Sequence, residues 1–287
     1  GGERVELATA VLAAIADADP LPPWVAASAA GRLPGDRVAP DAAHDAAYRL
    51  ARHAGTVTHD VYRTFADRLG ELPYVELCAL VSTVAAVAHF HRNVGLPVPS
   101  LPTAVAGEPS GDVPERLEAA TLNWVPVAAP ADQVAAVVQA YSAVPGEWMN
   151  TWRMADAQYM PERDMVHPDW SRRPGGLTRA QMELVAARVA RLRDCFYWTT
   201  AHASMLSWSS RETNERIDLT AVAEGRAGVG LEHGDLLLRF ATACVGDDAV
   251  ELDAARVALV AATDEAFMVA AAAVAANFEM MTRLADG

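Results

Sequence analysis

Three residues in one short region of the sequence carry side chains that can do chemistry: Glu183, Cys195 and His202. Glutamate and histidine exchange protons in enzymes, and a cysteine thiolate is a nucleophile. Cys195 and His202 are seven positions apart, so on a helix they share a face. The spacing leaves three interpretations open: a redox site, a site that was formerly redox, or simply a buried helix.

The first helix that must position these residues is well marked in the sequence. Thr178 and Gln181 match a capping box, which predicts that a helix begins there and covers 178–192. Glu183 lies in its second turn. The basic residues near its end suit the negative end of the helix dipole.

The second helix carries the thiol and the imidazole. Asp194 is a favourable N-cap residue, which predicts a helix over 195–208 that Cys195 opens. A thiol at a helix N-terminus can have a lowered pKa, so we expect Cys195 to be partly thiolate. Trp198 and His202 follow at i+3 and i+7 and should lie on the same face.

Apolar residues at helical spacing recur along the whole chain, and no run alternates convincingly with period two, so we predict an all-α fold. Pro- and Gly-rich residues 95–114 interrupt the pattern and predict a linker. The other predicted helices cover 42–54, 58–69, 73–91, 115–122, 131–144, 235–244, 251–260 and 264–284.

Composition and charge bound the function. The 287 residues are 52% hydrophobic and carry a net charge of −14, which describes a globular chain with a sizeable core and a surface that repels nucleic acid and anionic membranes. We therefore expect no nucleic-acid partner and no membrane partner. The three cysteines fit no zinc or disulfide pattern, and we see no signal peptide, so we expect a cytoplasmic location.

A weak internal repeat suggests the domain organisation. The segments that begin at Tyr48 and at Leu238 both read as a short helix, a turn, a second helix and a long Ala/Val-rich helix. We predict a degenerate domain over 1–100, a linker over 101–114 and a complete domain over 115–287.

The residues of the site also resemble a known family. Glu183, Cys195, Tyr197, Trp198 and His202 follow the pattern E-x11-C-x-Y-C-x3-H, with tryptophan in place of the second cysteine. This pattern resembles the AhpD-like alkylhydroperoxidase and carboxymuconolactone decarboxylase superfamily. The closing segment "NFEMMTR" is similar to the end of that family's last helix. The resemblance implies an AhpD-like helical fold with one complete and one degenerate repeat.

The departure from the family pattern decides which activity the resemblance implies. Redox members use two cysteines, but here Trp198 stands where the second one is expected, and a disulfide cycle needs two thiols within bonding distance. Decarboxylase-like members lack the cysteine pair and use a glutamate and a histidine without a cofactor. The resemblance thus implies a cofactor-independent enzyme of the lyase or isomerase type, with Glu183 and His202 transferring protons and Cys195 in the pocket.

Aromatic residues are the candidates for binding a small-molecule substrate. Tyr197 and Trp198 flank the proposed catalytic residues, and Trp152 and Tyr159 lie in a stretch rich in Trp, Met and Tyr over 147–170. Such clusters line apolar pockets and interfaces. The stretch is either core and subunit packing or a lid over the site.

Several alternatives stay open at this stage. Glu183 can instead form a structural ion pair with Arg188 or Arg191, and His202 can be a core histidine with its hydrogen bonds satisfied. Cys195 can be a small buried residue, or the single thiol of a peroxidase that an external thiol resolves. A catalytically inactive small-molecule-binding scaffold is the remaining class.

Metal binding and assembly complete the expectations. His89 and His91 are two positions apart and point to different sides of a helix, so we predict no metal site. By its resemblance to AhpD-like proteins the chain should form a homo-oligomer, a trimer or a dimer.

Overall fold

A computed structural model describes residues 1–17, 41–106, 111–119, 122–128, 135–165, 167 and 176–287. The all-α prediction is confirmed: 70% of the described residues are helical, and this part of the chain holds twelve α-helices and one two-stranded antiparallel sheet, β1 (Glu118–Ala119) with β2 (Pro126–Val127). The helices are α1 (Gly2–Ile15), α2 (Ala42–His53), α3 (His59–Leu69), α4 (Glu71–Val94), α5 (Ala136–Gln139), α6 (Pro145–Gln158), α7 (Arg179–Leu192), α8 (Phe196–Glu212), α9 (Leu219–Glu224), α10 (Gly234–Val245), α11 (Ala249–Ala262) and α12 (Glu265–Asp286).

Most predicted helices are present, and the exceptions have local causes. The predicted helix over 115–122 is wrong, because β1 occupies residues 118–119. Of the helix predicted over 131–144, only Ala136–Gln139 is helical, and residues 131–134 lie outside the described part. Helix α6 was missed. Its first residue is Pro145, whose fixed φ and missing N–H suit the first position of a helix.

The chain divides into two compact units that the sequence repeat does not delineate. Unit 1 comprises Gly1–Ala85, Pro99–Arg153 and Thr282–Gly287, and unit 2 comprises Ala86–Val98 and Met154–Met281. The two repeat segments nevertheless have the same order of helices. The lengths of α2, α3 and α4 are close to those of α10, α11 and α12. The division at 1–100 and 115–287 remains a prediction.

Unit 1 is built on α1 packed against α2. Leu7 and Val11 of α1 are buried, as is Leu50 of α2. Arg52 donates a hydrogen bond of 2.5 Å to the carbonyl of Asp17, which ties the end of α1 to α2. Polar tethers of this kind satisfy carbonyls that the last turn of a helix leaves without partners.

Unit 2 holds the predicted site and is built around α7. Residues 179–190 of this helix are all buried, and α8, α9 and α10 pack against it. Arg188 of α7 donates to the carbonyls of Val222 and Ala223 at the end of α9 and to the hydroxyl of Thr242 on α10. The residue after α9 is Gly225, whose φ is +74°. Glycine is favoured at this position, because a Cβ would come within 2.5 Å of the Arg188 guanidinium.

In the part of the chain that the structure describes, two helices, α4 and α12, are long and apolar enough to cross a membrane by length and composition. In each, most of the apolar window is buried inside the protein, 61% for α4 and 89% for α12. Core helices of soluble proteins have the same character.

Candidate functional site

The carboxylate of Glu183 is the centre of a fully buried polar cluster in unit 2. Its Oε2 lies 2.5 Å from Nδ1 of His202 on the neighbouring helix α8. Its Oε1 accepts hydrogen bonds from the hydroxyl of Tyr159 and from Nε of Arg179. Glu183 and His202 both have 0% exposed surface, so two side chains predicted to be catalytic are in direct contact.

Electrostatics keep this buried carboxyl ionised. Burial by itself would raise the pKa of Glu183, but the charge and hydrogen bond of His202, together with Arg179 and the Tyr159 hydroxyl, hold the pKa below its ordinary value of 4.5. An ionised carboxylate can only accept hydrogen bonds, so Nδ1 of His202 must be the donor. The imidazole orientation and its Nδ1 proton are therefore fixed by Glu183.

The other ring nitrogen of His202 is available for chemistry. Nε2 is buried and has no hydrogen-bond partner among the described residues. Three aromatic rings surround the imidazole: Phe278 at 4.3 Å between centroids, Trp198 at 5.2 Å and Tyr159 at 5.8 Å. A buried nitrogen with no partner is uncommon and calls for an explanation. As a base or an acid, Nε2 would serve a proton-transfer step.

Trp198 occupies the position where the family pattern has its second cysteine. It is 8% exposed, and its indole N–H donates a hydrogen bond of 2.7 Å to the carbonyl of Met281 on α12. Its ring also packs edge-on against Phe278, at 5.8 Å between centroids. The tryptophan is thus fixed at both its polar and its apolar side.

Cys195 is placed differently from the prediction. It is itself the N-cap of α8, whereas Asp194 adopts a left-handed conformation at φ +57° and accepts a hydrogen bond from Arg191. The backbone N–H of Cys195 bonds to the carbonyl of Ala190, which closes the turn between the two helices. The thiol is 0% exposed, and none of the three cysteines of the described chain forms a disulfide.

The remaining residues that were predicted to bind substrate lie in different environments. Tyr159 joins the cluster, but its hydroxyl binds Glu183 and so positions the carboxylate. Tyr197 is 40% exposed, and its ring stands edge-on to Trp198 at 5.0 Å. Trp152 is half-buried on α6 within unit 1, and its role in binding remains a prediction.

Sequence reasoning missed Arg179, which is the charge partner of Glu183. The alternatives weighed were Arg188 and Arg191, but Arg188 binds the end of α9 and Arg191 binds Asp194. The signal was present: Arg179 precedes Glu183 by four positions, the spacing at which helical side chains meet.

Arg179 also fixes the chain that precedes α7. Its Nη1 donates to the carbonyls of Asp164 and His167, at 3.4 and 3.2 Å. Its Nη2 lies 3.3 Å from the sulfur of Met205 on α8. One guanidinium thereby links α7, α8 and part of the stretch over 147–170, for which core or subunit packing and a lid were the two alternatives. Residues 166 and 168–170 of that stretch lie outside the described residues.

Phe278 was also missed as a residue of the site. It lies within the quoted "NFEMMTR" segment, which had been considered only as a family marker. Its ring contacts His202, Trp198 and Tyr159 edge-on. Helix α12 therefore supplies the aromatic wall of the cluster.

A second buried cluster in unit 2 uses the same residue types. Glu279 of α12 is 1% exposed and forms a bidentate ion pair with Arg193, with N–O distances of 2.8 to 3.0 Å. Nε2 of His89 lies 3.6 Å from Oε2 of Glu279. This cluster was not expected from the sequence, because its members are far apart along the chain.

Within the described ranges, no three or more His, Cys, Asp or Glu side chains are grouped so as to hold a metal ion. The clusters around Glu183 and Glu279 each contain one carboxylate, one imidazole and one guanidinium. Such sets suit proton chemistry or ion pairing.

Comparison with known proteins gives no further constraint. No family model matches the chain, and neither a curated protein nor a solved structure matches it.

Proposed function

We propose that Glu183 and His202 form the acid–base pair of an enzyme that acts on a small organic molecule without a cofactor. One observation carries the proposal: Nε2 of His202 is buried and has no hydrogen-bond partner among the described residues, while Nδ1 is held 2.5 Å from an ionised carboxylate. A positioned imidazole of this kind transfers protons efficiently near neutral pH.

The cluster supplies a division of roles. His202 would give or take the proton through Nε2. Glu183 would orient the ring and stabilise the imidazolium that forms when the base is protonated. Tyr159 and Arg179 would hold the carboxylate in place through its Oε1, and thus act as positioning residues.

The resemblance to the AhpD-like and carboxymuconolactone decarboxylase superfamily belongs to the same proposal. It suggests decarboxylation, isomerisation, elimination or cyclisation, all of which need a proton moved at carbon or oxygen. A cytoplasmic homo-oligomer, with a trimer or dimer as the expected state and without nucleic-acid or membrane partners, is part of this proposal.

An inactive small-molecule-binding scaffold is the second candidate, and the closure of the site favours it. Glu183, Cys195 and His202 are all 0% exposed, so a substrate reaches them only when neighbouring side chains move. The thiol-dependent alternative meets the same barrier, since a peroxide would have to reach the buried Cys195.

Proton exchange at carbon tests the proposal before a substrate is identified. The protein is incubated in D₂O with a panel of small cyclic ketones, lactones and β-keto acids, and loss of C–H signal is followed by proton NMR. We expect deuterium uptake by at least one compound, and a loss of about 10²–10⁴-fold in the His202→Ala variant. Cys195→Ser is the matched control and should keep most of the rate.

The outcomes separate the candidates. Exchange that persists in a folded His202→Ala variant would remove His202 from the mechanism. An absence of exchange from every compound by the wild-type protein would favour the scaffold. If Cys195→Ser alone abolishes the exchange, the thiol of Cys195 is the group that carries out the reaction.

A further inference from the structure

An apolar groove of about 710 Å³ lies along α12 within unit 2. Val269, Ala270 and Ala273 of α12 line it, together with Phe90 of α4 and Gln158 at the end of α6. Ligand pockets for small organic molecules have about this volume, roughly 300–1,000 Å³. The groove was not expected from the sequence.

Two backbone segments join this groove to the buried cluster. Gln158, the last residue of α6, lines the groove. The hydroxyl of the next residue, Tyr159, donates a hydrogen bond to Glu183. On α12, Ala273 lines the groove, and Phe278, five positions further on, contacts the ring of His202. Five residues of helix span only about 7.5 Å, so the inner end of the groove and the cluster are close neighbours.

Buried polar atoms that have no hydrogen-bond partner within the described chain lie between the groove and the cluster. Asn277 follows Ala273 by four positions and Ala270 by seven, which places it on the groove-lining face of α12. It is 0% exposed, and within the described chain neither its Nδ2 nor its Oδ1 has a hydrogen-bond partner. The buried Oε1 of Gln158 is also without one there. With Nε2 of His202, these atoms form a series of unmet polar groups.

We propose that the groove is the route by which the substrate reaches His202, and that Asn277 binds a polar group of the substrate at its inner end. Phe278 forms the barrier that moves to admit it, while Tyr159 keeps its hydrogen bond to Glu183. This inference rests on the proposed acid–base function of His202 and adds the access route and one binding residue to it.

The charge at the groove narrows the substrate class. Asp264 and Glu265 line it together with the alanine and valine side chains. Two carboxylates in an apolar groove repel an anion, so the substrate should be an uncharged, largely apolar molecule with one hydrogen-bonding group that the Asn277 amide can bind. Of the four reaction types, decarboxylation of a free carboxylate is then the least compatible.

Labelling of His202 by diethylpyrocarbonate tests the route without a substrate. This small uncharged reagent transfers an ethoxycarbonyl group to an unprotonated imidazole nitrogen and releases ethanol and carbon dioxide. The rate is measured for each histidine by peptide mass spectrometry. We expect labelling of His202, slowed by at least about tenfold in Val269→Trp, which narrows the groove, while the exposed His59 reacts unchanged.

A matched variant and a matched probe pair complete the test. Val257 is an exposed valine of α11 outside the groove, so Val257→Trp should leave the His202 rate unchanged. Ala273→Phe repeats the block at the inner end. N-phenylnaphthylamine, which is uncharged, should protect His202, whereas anilinonaphthalene sulfonate, with the same rings and a negative charge, should not.

The outcomes of these labelling experiments test the access route and the charge selection separately. Equal His202 labelling in wild type, Val269→Trp and Ala273→Phe, or no His202 labelling in the wild type, would overturn the route. Equal protection by both probes would overturn the charge selection. Because this readout is access and not turnover, a negative result leaves the proton-exchange test of His202 intact.

Discussion

Two buried clusters in unit 2 contain a glutamate, an arginine and a histidine, yet the partners of the two carboxylates are arranged differently. In the first, Glu183 divides its oxygens, with Arg179 and Tyr159 on Oε1 and His202 on Oε2. In the second, both oxygens of Glu279 are engaged by Arg193, and His89 stands 3.6 Å away, beyond hydrogen-bond distance.

The comparison teaches that composition alone does not make an acid–base site. A carboxylate that forms a two-fold ion pair with arginine is geometrically specific and has little capacity left for an imidazole. A carboxylate that keeps one oxygen for histidine fixes the tautomer and leaves the far nitrogen available. By this criterion the Glu183 cluster is the catalytic candidate and the Glu279 cluster is structural.

The largest expected effect is on turnover. Glu183→Gln and His202→Ala should each reduce turnover by about 10²–10⁴-fold, and the double variant should lose little more, because the pair acts as one unit. His89→Ala should retain nearly full activity. Rates of the proton-exchange reaction measure this, with circular dichroism to establish folding.

The comparison breaks if the two histidines behave alike. A His89→Ala loss as large as that of His202→Ala would mean that both clusters take part in the reaction. Strictly multiplicative losses for Glu183→Gln and His202→Ala would mean that the two residues act independently.

Substitution of Arg179 should lower the free energy of unfolding more than substitution of Arg193. Arg179 is fully buried, so Arg179→Met leaves the Glu183 charge short of a partner and should lower the free energy of unfolding by about 3–5 kcal/mol. Arg193 has 18% of its side chain exposed, so water can partly replace it, and Arg193→Met should cost less. Urea unfolding measures both, and an equal loss would contradict the distinction.

Acid should weaken the protein through Glu183. Its folded-state pKa lies below the ordinary value of 4.5, so its contribution is complete above pH 4.5 and is lost as the pH falls through the folded-state pKa. Below pH 4.5 the free energy of unfolding should fall more steeply in the wild type than in Glu183→Gln, by up to about 1.4 kcal/mol per pH unit. Parallel curves from urea titrations at several pH values would refute this.

The smallest expected effect is at the thiol. Cys195→Ser preserves the size of a buried N-cap residue, so turnover in the proton-exchange reaction should change little. The wild-type protein should also show little peroxide turnover with dithiol reductants, since Trp198 stands where the second thiol is expected. Strong peroxidase activity that Cys195→Ser removes would promote the thiol mechanism.

The sequence predicted the elements of the site because its local signals are strong. The capping box of Thr178 and Gln181 is present, and the two helices begin within one residue of the predicted positions. The contact of Glu183 with His202 followed from a family resemblance that no comparison tests. Asp194 was the wrong N-cap, because the tight link between α7 and α8 needs a residue with positive φ, and aspartate tolerates this better than most.

What the sequence did not predict depends on distant packing. Arg193, Glu279 and His89 come from three separate segments, and nothing in their spacing announces a cluster. The groove along α12 is formed from alanines and valines that read simply as core. Only tertiary structure shows which small side chains leave space beside them and which are covered.

The packing of the tryptophan at position 198 limits how this site can change by mutation. Replacing it by cysteine, which would place a second thiol three positions after Cys195, removes a ring packed against His202 and Phe278 and the indole donor to Met281. Loss of a buried tryptophan typically costs about 3–5 kcal/mol, a large part of the stability of a domain. A dithiol pair could therefore not be introduced here by this one substitution without a large loss of stability, because the Phe278 ring would lose one of its packing partners.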